Sequence, residues 1–149
     1  MNTQEDVQGF LAEKTLAIAG ISRDEKSFSR TAYRDLRTKG YRLLPVNPNT
    51  AEIAREKCYP TLSALPEKVG GVILFTQPAE TEKVIREAAG LGIKRIWIQQ
   101  GAESEAALQF CRDKGLAAVS GQCILMFPEP VGFHGVHRWF KRLFGRLPK

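Results

Sequence analysis

The first candidate site is a polar segment that runs from Gly20 to Arg30. Gly20 permits a sharp turn, and hydroxyl-bearing and basic side chains follow it closely. These side chains are Ser22, Arg23, Lys26, Ser27, Ser29 and Arg30. Hydroxyls, guanidinium groups and the free N–H groups of a helix start are donors that bind phosphate. The same composition is also typical of an ordinary loop from a strand into a helix, so both interpretations stay open for this segment alone.

The segment differs from the common nucleotide-binding fingerprints. In the GxGxxG motif, glycines would stand where this chain has Ser22 and Glu25. Proteins that bind NAD also carry an acid at the end of the second strand, where this chain has Val46 and Asn47. An uncharged Asn47 tolerates a phosphorylated ribose, and the chain contains no GK[ST] sequence of a P-loop. The pattern therefore argues against NAD and against P-loop nucleotide binding.

Neutral polar residues follow two further apolar runs. Thr76, Gln77 and Pro78 come after one run, and Gln100 and Gly101 come after the next. Hydroxyl and amide groups on converging loops suit a long uncharged ligand arm with amides better than a metal or a charged substrate. Taken singly, each group also fits a helix start or a turn, so it is their convergence that favours a ligand.

The elements that position these loops alternate along the chain. Short apolar runs predict five strands, at 15–19, 41–46, 71–75, 94–98 and 116–119. Helical spacing predicts four helices, at 4–13, 29–39, 78–91 and 104–114. Because alternating strands and helices require right-handed crossovers, we predict an α/β, Rossmann-like three-layer fold. The expected sheet is parallel, its five strands lie in the order 3-2-1-4-5, and a C-terminal amphipathic helix follows it.

The positive charge of the chain is concentrated at its C-terminus. The net charge is +6, and five of the 22 basic residues but none of the 16 acidic ones lie in 131–149. We therefore divide the chain into a domain at 1–130 and a basic tail at 131–149. Apolar residues from Val136 to Phe144 repeat at helical spacing, which predicts an amphipathic helix. Packing on the domain or a second subunit is favoured, because exposed aromatic rings are costly; a membrane surface or nucleic acid remain alternatives.

Cysteine and histidine usage points to neither a disulfide framework nor a metal site. Cys58, Cys111 and Cys123 are odd in number and widely spaced. His134 and His137 have no third ligand nearby, and no Ser-His-Asp or Cys-His set can be assembled with them.

The polar N-terminus lacks the features of a signal peptide, and no apolar run reaches the roughly 20 residues of a membrane helix. A cytoplasmic protein is therefore expected.

Five motifs, taken together and in order, resemble one protein family. They are Gly20-Ile21-Ser22, Val46-Asn47-Pro48, Cys58-Tyr59-Pro60-Thr61-Leu62, Trp97-Ile98-Gln99-Gln100-Gly101 and Cys123-Ile124. The pattern spans about residues 10–125. It resembles the small bacterial CoA-binding domain proteins, which are similar to the N-terminal domain of the succinyl-CoA synthetase alpha subunit.

The resemblance implies coenzyme A lying across the strand ends. On that analogy the first loop serves the phosphates with Gly20, Ser22 and Arg30, beside Ile21 and Ser27. Val46 and Asn47 lie near the adenosine, Thr76, Gln77 and Pro78 line the middle, and Gln100 and Gly101 flank the pantetheine arm. Cys123 completes this cofactor-binding set. Its thiol could form a disulfide with the CoA thiol, or it could be a small buried residue that closes the sheet.

The expected function is non-catalytic binding of CoA or an acyl-CoA, since the resemblance implies no settled reaction. An NAD(P)-binding oxidoreductase is one alternative. A membrane- or nucleic-acid-associated protein that acts through its tail is another. A homodimer or an acyl-CoA-linked protein partner is compatible with the sequence, whereas a nucleic-acid partner is not expected.

Overall fold

The computed structural model describes residues 3–122 and residue 124. Its helices are α1 (Gln4–Ala12), α2 (Phe28–Thr38), α3 (Pro78–Gly90) and α4 (Glu105–Lys114), and a short 3-10 helix spans Leu62–Ala64. Its strands are β1 (Thr15–Ala19), β2 (Arg42–Val46), β3 (Glu52–Ile53), β4 (Glu56–Lys57), β5 (Gly71–Leu74), β6 (Arg95–Gln99) and β7 (Ala117–Gln122). The predictions for Cys123, for the histidines and for the tail at 131–149 fall outside the described residues.

The helix ends follow the capping signals of the sequence. Ser27 precedes α2, and its hydroxyl accepts a hydrogen bond from the N–H of Arg30 at 3.3 Å. Ser104 caps α4 in the same way, and Pro78 occupies the first turn of α3. Gly115 ends α4 with a φ of +63°, a left-handed conformation that glycine adopts without strain. These signals explain why the predicted helices agree with the observed ones to within a few residues.

The five long strands form one parallel sheet, which confirms the predicted α/β, Rossmann-like fold class. The predicted strand order 3-2-1-4-5 needs a correction. The observed order is β2-β1-β5-β6-β7, so the third long strand, β5, pairs with β1 and not with the outer edge of β2. The register of this pair runs from Leu16 opposite Gly71 to Ala19 opposite Leu74.

Tyr59 occupies the position outside β2 that the prediction gave to the third strand. It forms a single parallel bridge with Val46, in which its N–H donates to the carbonyl of Pro45 at 3.0 Å. Its own carbonyl accepts the N–H of Asn47 at 2.9 Å. Pro45 thus faces this outer edge, where its missing N–H removes no ladder bond. The segment between β2 and β5 forms the antiparallel hairpin β3–β4 and the single bridge at Tyr59. It then leads into β5, which pairs with β1.

Two apolar cores cover the two faces of the sheet. Leu16 and Ile18 of β1 belong to the core beneath α1 and α2, and Ala17 and Ala19 belong to the core beneath α3 and α4. Alternate residues of a strand point to opposite faces, so both faces of β1 are buried as its apolar run predicts. Among the residues that the structure describes, no helix has both the length and the apolar character to cross a membrane.

Candidate ligand-binding site

The segments that follow β1 and β5 lead to helices on opposite faces of the sheet. β1 leads to α2, and β5 leads to α3, whose buried residues belong to the other core. In an open parallel sheet, a crevice for ligands lies at this switch point, outside the carboxyl ends of the strands. The sequence placed the crevice beyond the first strand, and the corrected strand order places the switch between β1 and β5.

Gly20 allows the two loops at the switch point to meet. Its φ is +80°, and a Cβ there would lie 2.8 Å from the backbone of Phe75 and Thr76. Its N–H donates to the carbonyl of Val46 at 3.0 Å, while the N–H of Phe75 donates to the carbonyl of Ala19 at 2.8 Å. Any larger residue would therefore be strained and would also push the β5 loop away from the β1 loop.

Ser22, Ser27 and Ser29 form a serine cluster on the first loop. The N–H of Ser22 donates to Oγ of Ser29 at 2.9 Å, and the hydroxyls of Ser27 and Ser29 lie 3.2 Å apart. Oγ of Ser22 accepts the N–H of Asp24 at 3.0 Å. Within the described part of the chain, the Ser27–Ser29 contact alone uses a hydroxyl hydrogen of the cluster, so further hydroxyl hydrogens are left for an anionic acceptor. The backbone bonds hold these oxygens in place before any ligand arrives.

Arg30 lies beneath the same loop and is 6% exposed. Its Nη1 donates to the carbonyl of Arg23 at 3.1 Å. Its Nε is buried and has no hydrogen-bond partner among the described residues, and no carboxylate there lies within ion-pair distance. A buried cation without a counter-charge is costly, so Arg30 is the kind of group that an anionic ligand would compensate.

Ile21, Val46 and Asn47, which the resemblance places near the phosphates and the adenosine, contact other parts of the protein. Ile21 is 0% exposed and Val46 is 6% exposed, and both side chains pack in the cores. The side-chain amide of Asn47 donates from Nδ2 to the carbonyl of Ile21 at 2.7 Å, and its Oδ1 accepts the N–H of Asn49 at 2.8 Å. The structure thus makes Asn47 a tie between the loops after β1 and β2.

Thr76 is connected to the loop after β6 through Thr81. Oγ1 of Thr81 donates to the carbonyl of Ala102 at 2.6 Å, and it lies 2.6 Å from Oγ1 of Thr76. Because a carbonyl can only accept, the single hydroxyl hydrogen of Thr81 is donated to Ala102. The hydroxyl of Thr76 must therefore donate to Oγ1 of Thr81. Oγ1 of Thr76 then offers only acceptor sites to a ligand. Sequence reasoning missed Thr81, and its only signal is a polar residue on the buried face of α3.

The other expected arm residues are exposed on their loops. Gln77 is exposed and precedes α3, and its side chain forms no capping hydrogen bond; Pro78 follows it. Gln100 is exposed, and Gly101 turns the chain with a φ of +97°. The structure therefore brings the loops after β1, β5 and β6 to one edge of the sheet, as the sequence predicted.

Two further side chains lie beside Gly101. The sequence assigned no role to Gln99, and Glu103 was interpreted as a residue of the first helical turn, whereas α4 begins at Glu105 with Ser104 as its cap. Gln99 is 4% exposed, and its Oε1 accepts the N–H of Ile124 at 3.1 Å, which anchors the chain after β7. Oε1 of Glu103 accepts the N–H of Gly101 at 3.0 Å, while its Oε2 is buried and lacks a donor within the described residues. A polar residue at the end of an apolar strand was the available signal for Gln99.

The thiols that the structure describes are not activated. Burial raises the pKa of Cys58, and it raises the pKa of Cys111 to about 11. Both side chains are buried and free of disulfides. A thiol that stays protonated at neutral pH is a poor nucleophile, so neither residue offers thiolate chemistry to the crevice.

Comparison with known proteins identifies the relatives of this chain. The family model described as a CoA binding domain matches residues 14–127. The uncharacterized protein YneT of Bacillus subtilis is 26% identical over 111 residues, which cover 74% of this chain and 82% of YneT. An ADP-forming acetate–CoA ligase of Archaeoglobus fulgidus is 30% identical over 105 residues, 69% of this chain. This chain spans only 16% of the ligase.

Solved structures show the same fold. A conserved hypothetical protein from Pyrococcus furiosus is 35% identical, with a TM-score of 0.71 over 75% of this chain and 97% of that one. A protein from Pyrococcus horikoshii is 28% identical, with a TM-score of 0.75 over 96% of this chain and 93% of that one. The family resemblance noted in the five sequence motifs is thereby confirmed.

Proposed function

The chain belongs to the CoA-binding domain family, and from this premise we propose that it binds coenzyme A or an acyl-CoA without reacting with it. The ligand lies across the carboxyl ends of β1, β5 and β6. The serine cluster and Arg30 hold its phosphates, and the adenosine extends towards the loop at Asn47. The pantetheine arm runs past Thr76 and Gln77 towards Gln100 and Gly101.

Arg30 carries this proposal. Its guanidinium is almost fully buried, its Nε lacks a partner among the described residues, and it lies against the loop that holds the serine cluster. Arg23 and Lys26 in the same loop are exposed, so water already compensates their charges. A phosphate oxygen at the serine cluster would provide Arg30 with the missing negative charge and would accept the remaining hydroxyl hydrogens.

The rest of the crevice supports an amide-bearing arm. Oγ1 of Thr76 is restricted to accepting, which suits an amide N–H, and the exposed amide of Gln77 both donates and accepts. Oε2 of Glu103 is a further acceptor without a donor in the described part of the chain. An NAD-binding site would carry an acid at the end of β2. This chain has Asn47 there, and its side-chain amide is hydrogen-bonded to the loops after β1 and β2.

Calorimetric titration of Arg30 variants tests this function. Arg30→Ala should weaken CoA binding about ten- to a hundredfold, because a charge-assisted contact is lost. The affinity for pantetheine, which has no phosphate, should change far less. Arg30→Lys should fall between the two, since it keeps the charge and loses the planar fork.

Arg34→Ala is the matched control. Arg34 is exposed on the same helix, and its Nη1 donates to the carbonyl of Glu25 in the same loop at 3.2 Å. Removing it loosens the loop without removing the buried charge, so CoA affinity should stay within a few-fold of the wild type. Equal weakening of CoA and pantetheine by Arg30→Ala, or wild-type protein that prefers NADH to CoA, would contradict the proposal.

A further inference from the structure

An exposed aromatic ring stands at the switch point between the β1 and β5 loops. Phe28 is 48% exposed, although most large apolar side chains in the described part of the chain are buried. Its ring lies against that of Phe75, with the centroids 6.1 Å apart and the planes tilted by 57°. This distance and tilt are those of a favourable aromatic contact. Phe28 and Phe75 are called the aromatic pair below.

The aromatic pair is fixed from both sides. Phe75 follows β5 directly, its N–H is bonded to the carbonyl of Ala19, and its half-buried ring packs against the core beneath α2. Phe28 is the first residue of α2, between Ser27 and Ser29 of the serine cluster. The pair therefore joins the two loops that border the crevice, and the exposed part of Phe28 is an apolar surface beside a polar, phosphate-type site.

We propose that the aromatic pair packs against the dimethyl carbon of the pantoate unit of CoA. The pair thereby favours a ligand with pantetheine on the far side of the pyrophosphate over one with a second ribose there. This inference rests on the proposed CoA function. In CoA a single methylene separates the pyrophosphate from this branched carbon. A phosphate held at Ser27 and Ser29 therefore places the two methyl groups within reach of Phe28, the residue between them.

The alternative ligands lack an apolar group at this position. In NAD and in ADP-ribose, a ribose with its hydroxyls follows the pyrophosphate where CoA has the dimethyl carbon. Placing those hydroxyls against the ring of Phe28 would cost their hydrogen bonds with water. Covering the exposed part of the ring with methyl groups removes apolar surface from water on both partners.

Binding of two ligand fragments to Phe28→Ala tests the inference. CoA contains pantoate, whereas adenosine 3′-phosphate 5′-diphosphate contains the adenosine and all three phosphates of CoA without the pantetheine arm. Phe28→Ala should weaken CoA binding about three- to tenfold, in line with the apolar area lost, and should leave the affinity for adenosine 3′-phosphate 5′-diphosphate unchanged. Phe28→Leu, which keeps apolar contact, should recover most of the CoA affinity.

Leu91→Ala is a matched control, because Leu91 is also 48% exposed and lies at the end of α3, away from the crevice. It should change neither affinity. Equal weakening of CoA and of adenosine 3′-phosphate 5′-diphosphate by Phe28→Ala would overturn the inference in favour of a ring that contacts the nucleotide. If wild-type protein binds CoA and Arg30→Ala weakens it while Phe28→Ala has no effect, this inference fails and the proposed function stands. If the wild type does not bind CoA, both fail.

Discussion

Cys111 is a buried thiol in the core beneath α3 and α4, with 1% of its surface exposed. Burial raises its pKa to about 11 from an ordinary value of 9.0. The unfolded chain therefore loses this proton at lower pH than the folded protein does. The resulting stabilisation is complete below pH 9 and is lost as the pH rises towards 11.

Urea unfolding of the wild type and of Cys111→Ala between pH 7 and pH 11 measures this contribution. The wild type should lose free energy of unfolding more steeply than the variant above pH 9. Other groups titrate in this range, so the difference between the two curves is the informative quantity. Curves that stay parallel up to pH 11 would show that the thiol is not held protonated by the fold.

The sequence could predict some residues of the candidate site and not others. Gly20 and the serine cluster were predictable, because a glycine after a strand and hydroxyls at a helix start act through local geometry. Thr81 and Gln99 were not, since their partners are the carbonyl of Ala102 and the N–H of Ile124, which only the fold brings close. Asn47 was predicted to lie near a ligand, because its structural partner is also distant in sequence. Its side chain donates to the carbonyl of Ile21, 26 residues away, at 2.7 Å.

At the scale of elements, the β3–β4 hairpin contains local strain. Its two turn residues, Ala54 and Arg55, have φ values of +51° and +69°. Such turns favour Asn-Gly, because other residues pay in steric repulsion for a left-handed conformation. This explains why no hairpin was predicted between β2 and β5.

Replacing Arg55 with glycine should therefore raise the free energy of unfolding, by about 0.5–1 kcal/mol once the added freedom of the unfolded chain is subtracted. Thermal melting measures the change. Gly40→Ala provides the opposite case: Gly40 has a φ of +98° and open space around a Cβ, so its loss should lower stability through backbone strain alone. A destabilised Arg55→Gly would show that the Arg55 side chain contributes more than its strained backbone costs.

Element positions were easier to predict than their arrangement. Apolar runs and capping residues marked β1, β5 and α4 within a few residues, since those signals are local. The pairing of β5 with β1 depends on what fills the outer edge of β2. That edge is occupied by Tyr59, which forms two hydrogen bonds with β2 and its following loop and belongs to no named strand. A bridge of one residue leaves no periodic pattern, so the order 3-2-1-4-5 with β5 at the edge was a reasonable but wrong prediction.

In the molecule as a whole, the excess positive charge and the candidate binding site belong to different parts of the sequence. The candidate crevice is built from residues between Gly20 and Glu103, and its last described anchor is Ile124. The basic, aromatic-rich segment at 131–149 begins after these residues and contains five basic side chains and no acidic ones. The proposed binding of CoA and the role of the tail can therefore be tested separately by a single truncation.

Deletion of residues 131–149 should lower the melting temperature or dissociate an oligomer, because the apolar stripe that the sequence predicts from Val136 to Phe144 would be costly to leave in water. CoA affinity should stay within a few-fold, since the truncated chain keeps every residue of the proposed site. Melting, light scattering and calorimetry on both forms measure these effects. A truncated protein that keeps its stability and oligomeric state but no longer binds anionic vesicles would replace protein docking with membrane binding, for which the five positive charges are suited.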